Sequence, residues 1–194
     1  MKKIFCIESD WEDKSKKEKS ILPLLECIKG VYPDFDFIYR TANTKEEYIY
    51  CLSRFKKLIT PKNDFHLVLF CGHGRSGKIS IGNSKESKEY SIKEIGEMCQ
   101  EVAPQLLKNH MVHFDSCRIL STSESRLNEF MEMTGAIAVS GFSKNVDFIE
   151  SYALEMILFE TLLNERDSKK ALNKFFKKHE NGLCSMNKFT FIHR

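Results

Sequence analysis

Short apolar runs alternate along the chain with longer amphipathic stretches. The apolar runs have the length and the Phe, Ile, Val and Leu content of strands, and they lie at 3–7, 35–40, 65–70, 111–115, 136–139 and 188–193. The amphipathic stretches have the length and apolar spacing of helices, and they lie at 16–29, 44–59, 91–107, 123–134, 147–163 and 168–179. This alternation predicts crossover connections, and hence an α/β fold with a mostly parallel six-stranded sheet and helices on both faces.

Local signals sharpen several of these elements. A Ser or Thr followed three positions later by Glu is the signature of a capping box, and it occurs at Thr44, Ser91 and Ser121. We therefore expect three helices to begin near these residues. A further alternating segment at 78–82 predicts a short strand or one arm of a hairpin.

The length and charge of the chain limit its class. Its 194 residues are enough for a sizeable core, so we expect a single domain over 1–194. The net charge of +3, from 30 basic and 27 acidic residues, is too balanced to indicate a nucleic-acid partner. The apolar stretch at 152–163 is interrupted by Glu155 and Glu160 and is shorter than the roughly 20 residues of a membrane span. We interpret it as a buried helix and expect no membrane partner.

Cysteine usage indicates the compartment. Seven cysteines occur, an odd number, with no CxxC pair and no zinc-ligand spacing. Several lie inside apolar runs, where Cys behaves as a small core residue. The N-terminal apolar run is too short for a signal peptide. We therefore expect a cytoplasmic protein with reduced thiols and no metal or other cofactor.

Two triplets at the ends of predicted strands carry the candidate chemistry. Gly72-His73-Gly74 follows the third main strand, and Asp115-Ser116-Cys117 ends the fourth. If these strands are parallel neighbours, the imidazole and the thiol lie at one edge of the sheet, which is where open α/β sheets bind ligands. A thiol beside an imidazole is the arrangement of a cysteine nucleophile and its base.

The same edge predicts the other parts of an acyl-transfer site. The backbone N–H groups of Gly74 and Cys117 are candidate donors to an oxyanion, since Gly74 has no side chain to hinder a substrate carbonyl. Glu8 and Asp10 follow the first predicted strand, and 140–142 follows the fifth. We expect these four segments to converge on one edge.

The loop at 72–78 also supports a different hypothesis. Its spacing, GxxxxGK after a strand, is most of a phosphate-binding P-loop, but that motif continues with Ser or Thr and a helix. Here Ile79 follows, in a segment that alternates as a strand does. Nucleotide binding is therefore the weakest of the functions that we consider.

The two motifs together resemble those of the caspase-like cysteine peptidases, including metacaspases and the bacterial CHAT proteases. The matching segments are Leu67-Val-Leu-Phe-Cys-Gly-His-Gly74 and Val112-His-Phe-Asp-Ser-Cys117, with the His before the Cys on successive main strands. The resemblance covers about 160 residues, from the first strand to the helix at 151–163. It implies the three-layer caspase-haemoglobinase fold and a cysteine endopeptidase that acts on a protein or peptide substrate.

The resemblance also implies roles for individual residues. His73 is similar to the catalytic base, Cys117 to the nucleophile and Gly74 to the residue that completes the oxyanion hole. Asp115 resembles the metacaspase acid that binds a basic P1 side chain, the substrate residue before the cleaved bond. Glu8 or Asp10 resembles a second acid of that pocket.

Further substrate contacts and a preference follow from the same resemblance. Ser140, Gly141 and Phe142 resemble the stretch along which the substrate backbone pairs. Together these likenesses imply cleavage after Arg or Lys.

The chain also departs from the family. The caspase pentapeptide Gln-Ala-Cys-x-Gly is replaced by Asp-Ser-Cys-Arg-Ile at 115–119, and no prodomain or repeat domain is visible. Control of such an enzyme would then come from an activating partner protein, as in bacterial defence or signalling. A catalytically silent interaction module on the same fold is the alternative function.

Overall fold

A computed structural model describes residues 2–10, 19–60, 65–82, 86–165 and 167–193. Its centre is a six-stranded sheet built from β1 (Lys2–Glu8), β2 (Phe35–Thr41), β3 (Leu67–Cys71), β7 (Met111–Asp115), β8 (Ala138–Phe142) and β9 (Phe189–His193). The strand order is β2-β1-β3-β7-β8-β9. All neighbours are parallel except β8 and β9, which are antiparallel. The predicted mostly parallel sheet is confirmed.

Helices cover both faces of this sheet and complete three layers. One face packs against α2 (Lys45–Leu58), α3 (Ile92–Val102) and α4 (Glu124–Thr134). The other packs against α1 (Leu22–Val31), α5 (Phe148–Asn164) and α6 (Ser168–His179). We call these the α3 face and the α5 face. The chain then turns through 180–184 and a last helical turn, α7 (Ser185–Asn187), into β9.

The alternation of strand side chains builds a separate core on each face. On the α3 face the strands contribute large apolar residues, among them Phe5, Phe70 and Phe114. The positions between them point to the α5 face, where Cys6 and Leu69 pack with the helices. Neighbouring residues of one strand therefore lie in different cores, and the α5 face receives the ends of β1, β3 and β7.

A small antiparallel sheet follows β3 directly. It consists of β4 (Gly74–Arg75), β5 (Lys78–Ile81) and β6 (Lys88–Ser91). Ile79 and Ile81 anchor β5 in the core of the α3 face. The segment at 72–78 is thus a hairpin and does not lead into a helix, so it lacks the strand–loop–helix context that a P-loop needs.

Several boundaries differ from the predicted ones. Helix α1 begins at Leu22 and not at 16, and residues 16–18 of the predicted helix lie outside the described residues. Helix α3 ends at Val102 and not at 107, two residues before Pro104. Thr44 and Ser91 accept the expected capping hydrogen bonds. At α4 the N-cap is Ser123, with no side-chain cap, so the capping box expected at Ser121 is wrong.

Two strands are longer than predicted, and this moves candidate site residues. Glu8 is the last residue of β1, and β8 extends through Phe142. Glu8 and residues 140–142 were expected beyond the strand ends, whereas they lie within the strands. In the described part of the chain, every helix is too short or too polar to cross a membrane.

Candidate active site

The predicted His–Cys pair lies at the carboxyl ends of two neighbouring strands. The parallel register of β3 and β7 pairs Cys71 with Asp115, and the Gly72 N–H continues it by donating to the Asp115 carbonyl at 3.2 Å. His73 and Cys117 each follow that pair by two residues. The topology therefore brings the imidazole-bearing and thiol-bearing loops side by side, with His73 exposed and Cys117 half-buried.

Gly74 lies directly against the backbone of Cys117. A Cβ built on Gly74 would come within 2.0 Å of the Cys117 carbonyl oxygen and 2.7 Å of its nitrogen. Any side chain at this position would have to displace the Cys117 backbone and the Ser116 hydroxyl. Glycine is therefore required here by space, and the two predicted oxyanion donors belong to adjoining pieces of backbone.

The Cys117 thiol has backbone partners in the loop between β8 and α5. Its Sγ accepts from the Val146 N–H at 3.5 Å, and its S–H is directed to the Val146 carbonyl at 3.7 Å. A second hydrogen bond joins this loop to the residue after Cys117, because the Arg118 N–H donates to the Lys144 carbonyl at 3.1 Å. Segment 143–147 thus forms one wall of the candidate site.

A row of acidic and thiol side chains crosses the sheet behind this edge. Glu8 pairs in register with Cys71, and Cys71 with Asp115, so the three residues lie on adjacent strands and point to the α5 face. Glu8 and Asp115 are each only 3% exposed. Two carboxyl groups are therefore held about two strand spacings, roughly 10 Å, apart.

Glu8 is held in place by several donors. Its carboxylate accepts hydrogen bonds from the Ser20 hydroxyl at 2.6 Å, from the Ile21 N–H at 2.9 Å and from the Tyr39 hydroxyl. The Ile21 contact anchors the start of α1 to the sheet. Burial, followed by the contact with Glu8, raises the pKa of Tyr39, so this phenol stays a hydrogen-bond donor at neutral pH.

Asp115 contacts a third buried carboxyl, that of Glu155 on α5. Glu155 is fully buried, and its Oε2 has no N–H or hydroxyl donor among the described residues. Burial, and then the negative charge of Glu155, raises the pKa of Asp115 well above its ordinary value. Burial likewise raises the pKa of Glu155, from 4.5 to about 8.

His113 closes the polar network on its inner side. Its Nε2 lies 3.0 Å from Glu155 Oε1, and its Nδ1 lies 2.8 Å from the Ser140 hydroxyl. Burial lowers the pKa of His113 to about 4, so the ring is neutral at pH 7. We assign the proton to Nε2, which donates to Glu155, while Ser140 donates to Nδ1, because this arrangement satisfies all three groups.

Tyr152 and Glu155 are site residues that the sequence analysis missed. The Tyr152 hydroxyl is buried without a hydrogen-bond partner in the described part of the chain. Its pKa is raised by burial and by Asp115, Glu8 and Glu155, which places it beside the acidic row. A signal was present: Glu155 shares the apolar side of its helix with Leu158 and Phe159, three and four positions on.

Asp10, Ser140, Gly141 and Phe142 have different surroundings from those expected. Asp10 is exposed and bonded to Asn43, whose amide donates to Asp10 Oδ2 at 2.8 Å, so Glu8 is the acid that joins Asp115. The segment Ser140-Gly141-Phe142 is buried in β8, which is paired with β7 on one side and β9 on the other. Its backbone has no open edge, so the expected pairing with a substrate backbone at these residues is wrong.

Other ligand chemistry finds little support in the described residues. No three His, Cys, Asp or Glu side chains among them are arranged to hold a metal ion. All seven cysteines are described, and each is a free thiol. The Sγ atoms of Cys6 and Cys71 lie 3.8 Å apart in the core, which is a contact between two thiols.

The comparisons place the chain in a family. A family model described as "Family of unknown function (DUF6642)" matches residues 1–193, and the chain belongs to this family. No curated protein matches the chain.

Proposed function

We propose that this protein is a caspase-like cysteine endopeptidase that cleaves after Arg or Lys. The observation that carries the proposal is the joint position of His73, Gly74 and Cys117. The two loops leave adjacent parallel strands in register, and Gly74 lies so close to the Cys117 backbone that no side chain fits.

The chemistry follows from these groups. His73 takes the proton of the Cys117 thiol, and Sγ attacks the substrate carbonyl carbon. The oxyanion accepts hydrogen bonds from the N–H groups of Cys117 and Gly74, each worth about 3–4 kcal/mol at the barrier. His73 then protonates the leaving amine, and it activates the water that hydrolyses the thioester. The thiol must turn away from Val146 to attack.

The buried carboxyl groups support a basic P1 residue. Glu8, Asp115 and Glu155 lie on one side of the sheet, directly behind the candidate nucleophile. No lysine or arginine among the described residues pairs with Asp115 or Glu155. A guanidinium or ammonium group is the ligand that complements buried carboxylates.

A catalytically silent interaction module is the second candidate function. The bonding of Cys117 to Val146 favours it, because the nucleophile is engaged by the neighbouring loop. In the first candidate, the thiol leaves this contact to attack the substrate, and an activating partner protein that moves segment 143–147 raises turnover.

Peptide turnover distinguishes the two functions. We expect wild-type protein to hydrolyse peptides with P1 Arg or Lys, and Cys117→Ala to lose at least about 10⁴-fold in kcat. Gly74→Ala should lose at least about 100-fold because its Cβ displaces an oxyanion donor. Asp115→Ala should lose Arg and Lys cleavage selectively. Turnover that survives in Cys117→Ala would refute the proposal, and folded wild-type protein that cleaves no peptide would support the silent module.

A further inference from the structure

Asp115 and Glu155 form a pair of buried carboxyl groups whose contacts bear on where a proton is held. The two carboxyl groups contact each other, and Glu155 Oε2 has no other donor among the described residues. Two carboxylates cannot hydrogen bond unless one of them is protonated. Glu155 Oε1 accepts a hydrogen bond from His113 Nε2, and Oε2 is the oxygen left without a donor.

Among the described residues, no group close to the pair supplies a compensating positive charge. From β7, His113 is neutral, and from β1, Glu8 adds a further carboxyl. The Cys6 and Cys71 thiols face Asp115 from β1 and β3, and the pKa of each is raised by burial. From α5, the remaining titratable neighbour is Tyr152, whose hydroxyl is buried and unbonded, while β8 contributes only the Ser140 hydroxyl.

We infer that Glu155 is a positioning residue for P1 recognition: it shares one proton with Asp115, and a cationic P1 side chain displaces this proton to solvent when it docks. The inference rests on the proposed function. The exchange balances in charge, because the site gains one guanidinium or ammonium and releases one proton. Tyr152 Oη is placed to accept a hydrogen bond from the incoming cation.

This exchange makes selectivity for a basic P1 residue depend on pH. Below the apparent pKa of the pair, docking must expel the proton, so binding of the cation weakens as pH falls. A neutral isostere such as citrulline does not require the expulsion. The ratio of kcat/KM for P1 Arg to that for P1 citrulline therefore isolates the effect, because the chemical steps at Cys117 are common to both substrates.

The first experiment measures this ratio from pH 6 to pH 9. One released proton predicts a rise of about tenfold per pH unit below the apparent pKa. Glu155→Gln keeps an acceptor for His113 and gives Asp115 an N–H donor. We expect a higher ratio at pH 6 and a flatter profile in this variant. Asp115→Asn should give a low ratio at every pH. A Glu155→Gln profile as steep as that of wild type, or a flat wild-type profile, would overturn the inference.

A second experiment does not need turnover. Benzamidine is titrated into the full chain at pH 7 by calorimetry in two buffers with different ionisation enthalpies. We expect about one proton released by wild type and none by Asp115→Asn. Proton release without peptide cleavage would refute the proposed function, and with it the role in P1 recognition, and would leave only the exchange of a proton for a cation at the acidic pair. Cleavage of Arg peptides without release would overturn the inference alone, and absence of both binding and cleavage would overturn both.

Discussion

The two faces of the central sheet are built from the same strands and have opposite characters. On the α3 face the strand residues are Phe, Ile and Val, packed against aromatic side chains such as Phe55 and Phe130. On the α5 face, near the carboxyl ends, the strands bury Glu8, His113 and Asp115 instead. One alternating backbone therefore supplies a hydrocarbon core to one layer and an acidic network to the other.

The difference separates stability from function. Burying an ion costs several kcal/mol unless it is well paired, and that is a large part of the 5–15 kcal/mol by which a typical domain is stable. Three carboxyl groups on one face are costly for folding and useful for recognising a cation. We therefore attribute the stability of the fold mainly to the α3 face and the candidate specificity to the α5 face.

The largest expected stability change is on the α3 face. Phe55 is fully buried and stacks near Phe5 and Phe65, with ring centroids 5.0 Å and 5.5 Å away. Phe55→Ala should lower the free energy of unfolding by about 3–5 kcal/mol. Tyr50, on the same helix, is 63% exposed, so Tyr50→Ala should cost less than about 0.5 kcal/mol. Urea denaturation measures both, and equal losses would refute the assignment of stability to this face.

The buried carboxyl groups of the α5 face should make the unfolding free energy depend on pH. Between its ordinary pKa of 4.5 and its folded pKa of about 8, Glu155 binds a proton in the folded state and not in the unfolded chain. Its contribution to stability is therefore full at low pH and is lost as pH rises. His113, with its lowered pKa, acts in the opposite direction only below its ordinary value of 6.5. Stability should fall between pH 6.5 and 8 by on the order of 1–2 kcal/mol.

Asp115, whose pKa is also raised by burial and by Glu155, acts in the same direction. Glu155→Gln removes one of the two titrating carboxyl groups and gives the other an N–H donor, so it tests this assignment. We expect its unfolding free energy, measured in urea at pH 6.5 and 8, to change much less than that of wild type. Glu150→Gln replaces an exposed carboxylate at the start of the same helix and should keep the wild-type fall. A Glu155→Gln variant that falls as steeply as wild type would contradict the proposed protonation.

The smallest effect concerns the helices that cover the α3 face. Ser91 caps α3 with a complete capping box, whereas Ser123 begins α4 without a side-chain cap. Ser91→Ala should therefore cost about 1 kcal/mol of unfolding free energy and Ser123→Ala close to nothing. Thermal unfolding of the two variants compares them directly. A larger loss of stability in Ser123→Ala than in Ser91→Ala would contradict the assignment of the two caps.

The sequence predicted what depends on local pattern. Strand and helix order, the parallel sheet and the caps at Thr44 and Ser91 follow from periodicity and short-range chemistry. The pairing of the His73 and Cys117 loops was predictable because parallel strands present their carboxyl ends at one edge. The lengths of β1 and β8 were not, since Glu8 and Ser140 are polar residues that tertiary contacts bury.

The acidic network was beyond the sequence analysis for a related reason. Glu155 lies 40 positions along the chain from Asp115 and 42 from His113, so local pattern does not reveal the contact. A glutamate on the apolar side of a helix was the available signal. From the sequence alone, Glu155 indicates only an interruption of a buried helix. Its role becomes apparent once the neighbouring strand residues Asp115 and His113 are placed beside it.

The central claim is that Cys117 and His73 form a working nucleophile and base, and covalent labelling tests it most directly. Intact mass is measured after incubation with an Arg-based peptidyl acyloxymethyl ketone. The account predicts one adduct on wild type, none on Cys117→Ala and slower labelling of His73→Ala. No adduct on folded wild-type protein, or an adduct that persists in Cys117→Ala, would contradict it.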